Sequence, residues 1–241
     1  MVNIAISGIS GRMGRRILSL SGQDKDLRVV FGLERPGHPD IGKEIERVKV
    51  SEKISSAPEF DCFIDFTSPQ ATIEHLLELV SLKKPVVIGT TGLDEKQLKI
   101  IRDSASNIPI VFAPNMSIGV NLLFRLLKEA ANTLKGYRVQ VEEAHHIHKK
   151  DAPSGTAKKI AEVINSQGFD IKFEDIKAIR EAEIIGDHKV VFESDVDKIE
   201  LSHSAKTRDI FVKGALVAAK WVIDKQPGLY SMEDVLFGEA I

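Results

Sequence analysis

Five short runs of β-branched and aromatic residues punctuate the first half of the chain: Val2–Ser7, Leu27–Phe31, Cys62–Asp65, Pro85–Ile88 and Ile108–Phe112. Helical patterns fall between them at Arg12–Leu20, Gln70–Leu82 and Asp94–Ala105. In the second of these, Ile73, Leu76, Leu77 and Val80 recur at i, i+3, i+4 and i+7, which places them on one helical face. Strands that alternate with helices at this spacing run parallel, because each helix carries the chain back across the sheet. The first half therefore predicts a doubly wound parallel sheet.

The pattern changes near Ala113. Ile118–Leu134 reads as one long helix with Leu122, Leu126 and Ala130 in a stripe, and Tyr137–Glu143 alternates as a strand. Thr156–Ser166 reads as a further helix. From Ile176 to Leu201 several strands follow without helices between them, with a turn at Gly186-Asp187, which predicts a mostly antiparallel or mixed open sheet in a second, α+β domain. Arg208–Ile223 is helical again, and Pro227-Gly228 breaks the pattern. With 241 residues there is material for two modest domains, each with a core.

Bulk properties exclude some partners. Lys and Arg total 33 against 35 acidic residues, a net charge of −2, so no long-range field draws in nucleic acid or a membrane surface. Cys62 is the sole cysteine, which rules out an intrachain disulfide and fits a reducing compartment; its apolar neighbours Phe63 and Ile64 place it in the core. No apolar run approaches the ~20 residues that span a bilayer. The N-terminus runs into a strand without the basic start of a signal peptide, so the expected location is the cytoplasm.

After the first strand, Gly8-Ile9-Ser10-Gly11-Arg12-Met13-Gly14 opens a helix. The spacing G-x-x-G-x-x-G is a variant of the dinucleotide fingerprint. Its glycines let backbone approach a pyrophosphate, and the helix start offers N–H groups and partial positive charge. The sheet is thus expected to be Rossmann-like. Glu34 ends the second strand 20 positions after Gly14, where an acidic residue meets the adenosine ribose. Arg35 follows, and a guanidinium there grips a 2′-phosphate. The pair points to NADH, NADPH or both. Gly89-Thr90-Thr91-Gly92 and Ala113-Pro114-Asn115-Met116 follow strands at the same carboxyl edge, where ligands of open α/β sheets collect.

The densest chemistry lies in Glu143–Ala157, EAHHIHKKDAPSGTA. A metal site is disfavoured: there is no His-Glu-x-x-His helix or Cys pair, and neighbouring histidines on an extended chain point to opposite sides. An anion site fits better. Ser154-Gly155-Thr156 stands where a helix begins, with Ser154 or Thr156 as its cap and Gly155 allowing close approach. Lys149 and a histidine complete a cage for a carboxylate, and a histidine or lysine can supply a proton.

The His-His-x-His-Lys…Asp-x-Pro-Ser-Gly-Thr run resembles the signature of the dihydrodipicolinate reductase family. The resemblance extends through Gly8–Gly14, Phe63–Thr67, Val87–Gly92, Ala113–Asn121, Ile199–Ala205, Gly214-Ala215 and Gly228–Leu236. It implies reduction of 4-hydroxy-tetrahydrodipicolinate by NADH or NADPH in the diaminopimelate route to lysine. His145 would be the acid/base group and Lys149 a proton donor. His146, Gly155 and Thr156 would bind the carboxylates of the substrate. Gly8, Ile9, Ser10, Gly11, Arg12, Met13, Glu34, Arg35, Gly89, Thr90, Thr91, Ala113, Pro114, Asn115 and Met116 would contact the cofactor. Met116 stands where an aromatic is common. Also implied are a homotetramer formed through the second sheet, a nucleotide domain of 1–115 joined by 211–241, a substrate domain of 116–210, and hinges near Ala113 and Ile210. Two other readings keep the glycine turn: a dehydrogenase of another small acid, or a non-catalytic NAD(P)H sensor. A sensor has no need of His145 and Lys149 beside an anion-binding helix start.

Overall fold

A computed structural model describes residues 1–238. Its contacts divide into two units: Met1–Met116 with the described part of Phe211–Ile241, and Ser117–Ile210. Residues 239–241, which the sequence reading assigned to the returning segment, lie outside the described residues.

The first unit begins β1 (Val2–Ser7), α1 (Arg12–Ser21), β2 (Leu27–Leu33), then a small hairpin of β3 (Glu44–Ile45) and β4 (Val48–Ser51). It continues with β5 (Cys62–Asp65), α2 (Pro69–Leu82), β6 (Val86–Ile88), α3 (Glu95–Ser104) and β7 (Pro109–Phe112). After the second unit come α6 (Asp209–Val222), β12 (Gly228–Tyr230) and α7 (Met232–Phe237). The strands form one sheet in the order β12-β7-β6-β5-β1-β2-β4-β3, with parallel pairing throughout except in the β3–β4 hairpin.

Both faces of this sheet are apolar, so its strands read as continuous hydrophobic runs rather than as alternations. Successive side chains still go to opposite sides. Ile4 and Ile6 join Ile64, Val87 and Val111 in a core with α1, α6 and α7. Ala5 joins Phe63, Ile88 and Ile110 in a second core with α2 and α3. Cys62 is fully buried in the first. On α2 the buried residues are Thr72, Ile73, Leu76 and Leu79, while Leu77 is 55% exposed. The expected face was thus rotated by part of a turn, because the helix carries more apolar residues than its contact stripe uses. Ser68 caps α2 ahead of Pro69, and Asp94 with Gln97 forms a capping box on α3.

The second unit consists of α4 (Ile118–Thr133), β8 (Arg138–His145), α5 (Gly155–Asn165), β9 (Lys177–Arg180), β10 (Asp187–Glu193) and β11 (Lys198–Ser204). Its sheet has the order β11-β10-β8-β9; β10 is antiparallel to both neighbours, and β9 is parallel to β8. The loop expected to turn at Gly186-Asp187 ends there, with Asp187 already the first residue of β10. Leu123, Leu127 and Ala131 of α4 pack with Ala157, Ile160 and Ile164 of α5 against Val141, Val190 and Phe192. Each large apolar side chain buried this way contributes about 1.5–3 kcal/mol. The stripe expected on α4 is displaced by one residue: Leu122 and Leu126 are 44% and 45% exposed. Two adjacent stripes of α4 are apolar, and periodicity alone does not choose between them.

Candidate active site

In the first unit, parallel register lines up the strand ends. Ser7 pairs with Leu33 and Asp65, Asp65 with Ile88, and Ile88 with Phe112. The segments that leave these ends are the glycine turn, Glu34-Arg35, Phe66-Thr67, Gly89–Thr91 and Ala113–Asn115. One edge of the sheet therefore carries the residues assigned to the cofactor other than Met116, which lies in the first core.

The glycine turn is built for close approach. Gly8 has φ +67°, in the left-handed region. A Cβ on Gly14 would lie 2.2 Å from the Gly8 carbonyl oxygen, so only glycine lets α1 start this near the turn. Gly11 is the N-cap of α1, and no side chain caps the helix. The Ser10 N–H donates to Glu34 Oε1 at 2.8 Å, and the Ser10 hydroxyl donates to Asp40 Oδ2 at 2.8 Å. Glu34 is 9% exposed, whereas Arg35 and Arg12 are exposed. Ile9 and Met116, fully or nearly fully buried, put their side chains into the first core, with Met13 packed partly against it. The residues fit a dinucleotide, since the turn is a cradle that a Cβ would fill at the start of an uncapped helix.

A buried carboxylate organises the neighbouring loops. Asp65, 1% exposed, accepts from the Thr67 N–H at 2.9 Å, the Thr67 hydroxyl at 2.6 Å, the Thr90 hydroxyl at 3.3 Å and His75 Nδ1 at 2.7 Å. The Thr72 hydroxyl donates to Thr90 Oγ1 at 2.8 Å. A Cβ on Gly89 would lie 2.1 Å from the Phe66 ring, so any other residue there would have to displace that ring.

The second unit assembles the Glu143–Ala157 run. Glu143 and His145 alternate onto the helix-covered face at the end of β8. Register puts Glu143 opposite His188 and His145 opposite Arg180. The chain then leaves the sheet through His146, whose N–H donates to Ile184 O at 2.6 Å, and returns through a cis Ala152–Pro153 bond. Ser154 caps α5: its hydroxyl accepts from the Ala157 N–H at 3.2 Å. Thr156 is thus inside the helix rather than its cap. No acidic residue occupies the first turn, where Gly155 is exposed and Thr156 half-buried, so the helix start is electrically suited to an anion. His146 Nδ1 is buried without a hydrogen-bond partner. Lys149 Nζ lies 2.8 Å from Asp151 Oδ1.

Glu143 is the most tightly bound side chain here. Arg180 donates to both its oxygens, at 3.0 and 2.7 Å, the Ser154 N–H donates at 3.1 Å, and His145 Nδ1 makes a short hydrogen bond to it. Burial alone would raise its pKa, but Arg180 and His145 outweigh burial and hold the carboxyl below its usual range. His145 is held below its ordinary value, first by burial and then by Lys149 and Arg180, with Glu143 opposing. Burial also pushes His188 down to about 4, so it is neutral near pH 7. Its ring stacks edge-on against His145 at 5.3 Å. No group of three or more His, Cys, Asp or Glu suited to a metal ion occurs among the described residues.

The sequence reading placed His145, His146, Lys149, Gly155 and Thr156 in one run, and all five belong to the second unit. It gave no role to Glu143, Arg180 or His188. Glu143 was detectable, since it stands two residues before His145 on a strand and shares its face. Arg180 and His188 reach the site only through strand register, for which no local signal exists.

Comparison with known proteins agrees across the chain. Residues 2–116 match the family model described as dihydrodipicolinate reductase, N-terminus, and residues 119–236 match that for its C-terminus. The 4-hydroxy-tetrahydrodipicolinate reductase of Geotalea daltonii is 40% identical, covering 98% of this chain and 99% of its own. That of Aquifex aeolicus is 40% identical, with 98% of each chain covered. A dipicolinate-bound dihydrodipicolinate reductase from Paenisporosarcina sp. TG-14 superposes with a TM-score of 0.82 at 25% identity, covering 96% of this chain and 97% of that one. An aspartate dehydrogenase from Thermotoga maritima, at 14% identity and a TM-score of 0.52, shares only the fold. The glycine turn, a helix start without acidic residues in its first turn and two matched family models converge: the chain belongs to the dihydrodipicolinate reductase family.

Proposed function

We propose that the chain reduces 4-hydroxy-tetrahydrodipicolinate to tetrahydrodipicolinate with NADH or NADPH, in the diaminopimelate route to lysine. The observation that carries this is the full-length likeness to reductases of that name, 40% identical over 98% of the chain. The reaction exchanges a ring hydroxyl for hydrogen, so a hydride enters, hydroxide leaves, and a proton carries the hydroxide off as water. When bound, the nicotinamide supplies the hydride.

In this reading the second unit's residues do the rest. The N–H groups of Gly155 and Thr156, with His146, hold the ring carboxylates, and Lys149 adds a compact positive charge. His145 and Lys149 exchange protons with the substrate, which is worth a typical ~10²–10⁴-fold in rate. In the first unit the glycine turn holds the pyrophosphate, and Glu34 and Arg35 receive the adenosine ribose, as phosphate or free hydroxyl. Gly89–Thr91 and Ala113–Met116 line the remainder of the cofactor.

We also infer a homotetramer and a cytoplasmic location. Helices cover one face of the second unit's sheet, and Lys189, Val191 and Glu193 alternate onto the other, the surface we assign to assembly. Light scattering should give four times the chain mass. No helix among the described residues is long and apolar enough to cross a membrane. The activity is tested by mixing the enzyme with the condensation product of pyruvate and aspartate semialdehyde and following NADH and NADPH oxidation. Turnover with at least one is expected, and none with either overturns the reading.

A further inference from the structure

Glu143 is fully buried yet charged, and four hydrogen-bond donors converge on it: two from Arg180, the N–H of Ser154 and Nδ1 of His145. A carboxylate has only acceptor oxygens, so the His145 nitrogen that faces it has to carry hydrogen. That fixes the ring: Nδ1–H points inward and Nε2 outward, toward Gly186. Arg180 cannot give up a proton, so Glu143 stays ionised beside His145.

We propose that Glu143 is a positioning residue for the reaction: it locks His145 in the Nδ1–H form, makes Nε2 the proton-exchanging atom, and ties that atom to the start of the carboxylate-binding helix through Ser154. The inference rests on the reading of His145 as the acid. In the charged form, His145 gives its Nε2 proton to the substrate atom that becomes basic; the Nε2–H bond breaks as the new bond forms. The imidazole left behind is neutral, still donates from Nδ1 to Glu143, and regains a proton from solvent. Glu143 remains a carboxylate throughout.

Every charge facing His145 bears on its titration. Glu143 on β8 favours the imidazolium; Lys149 on the loop and Arg180 on β9 oppose it. His188 on β10 stacks on it, with His203 of β11 beyond, and burial holds both below their usual value. Removing the Glu143 charge leaves only groups that disfavour the imidazolium.

The test has two arms. Nitrogen-15 spectra of histidine-labelled wild-type protein, with His145 assigned by its loss in His145→Gln, report the tautomer without turnover. Neutral His145 is expected with hydrogen on Nδ1; hydrogen on Nε2 overturns the proposal, and this arm stands even if substitutions at Glu143 do not fold. In the second arm, Glu143→Gln keeps the shape but loses the charge. The expected results are a fall in kcat of about 10²-fold, KM within a few fold of wild type, and an alkaline limb of kcat/KM moved to lower pH. Glu143→Asp should recover part of both. A folded Glu143→Gln enzyme with unaltered kcat and pH profile, beside an inactive His145→Gln, overturns the Glu143 assignment alone. Undiminished kcat in His145→Gln instead overturns the reading of His145 on which it rests.

Discussion

Gly186 faces the outer edge of the His145 ring: a Cβ built on Gly186 would lie 3.0 Å from His145 Nε2. Its φ is not in the left-handed region, so alanine can adopt this backbone without strain there. Gly186→Ala should therefore fold, but its methyl group crowds Nε2, the nitrogen we propose meets substrate. A displacement of about 1 Å at a reacting group can cost on the order of 10²-fold. We expect kcat to fall at least about 10-fold while NADH affinity and melting temperature change little; unchanged kcat would show that Nε2 is not the working atom.

Lys149 and the residues assigned to the cofactor belong to different units. Lys149→Ala should lower kcat by about 10²-fold or more and leave the NADH dissociation constant near that of wild type. Lys149→Arg keeps the positive charge but not the ability to release a proton, so it should restore substrate KM more than kcat. Retained kcat in the alanine variant would reduce Lys149 to a partner of Asp151.

Glu34 is buried and tied to the glycine turn, whereas Arg35 beside it is exposed. Arg35→Ala should raise KM for NADPH by about 10-fold or more, since a charge-assisted contact to phosphate is worth about 1.5–3 kcal/mol. KM for NADH should hardly move. Equal changes for the two cofactors would remove Arg35 from 2′-phosphate recognition.

His188 is 5% exposed, and its pKa is pushed down to about 4 in the folded chain from an ordinary value of 6.5. The unfolded chain thus binds the proton more readily. Stability from this group is complete above pH 6.5 and drains away as pH falls toward 4, by about 3 kcal/mol in all. His145 and His203 shift in the same direction and steepen the loss. Urea unfolding from pH 7 to 4 should show a shallower decline for His188→Phe than for wild type. Parallel declines would mean that His188 gains its proton without cost.

Much of this was written locally. The glycine turn announced itself through spacing, and Cys62 through its apolar neighbours. The Glu143–Ala157 run held the proposed proton donors and the turn into α5 within fifteen consecutive residues. What escaped depended on partners distant in sequence. β3 has two residues and β12 three, too few to carry a period; each exists because a neighbouring strand supplies its hydrogen bonds. Leu122 and Leu126 have the spacing of a core stripe, and only packing against α5 and the sheet selects Leu123 and Leu127 instead. Arg180 sits in an ordinary strand until parallel register sets it beside His145.

Asp65 carries a consequence for motion. Thr67 follows β5 and Thr90 follows β6, yet both end on this one carboxylate, which His75 of α2 also grips. Two loops separated by a whole helix are thereby fused into a single mechanical part. They stiffen together or loosen together, so a cofactor that stills one stills the other. The amides of Thr67 and Thr90 should then gain hydrogen-exchange protection in step, and Asp65→Asn should uncouple them.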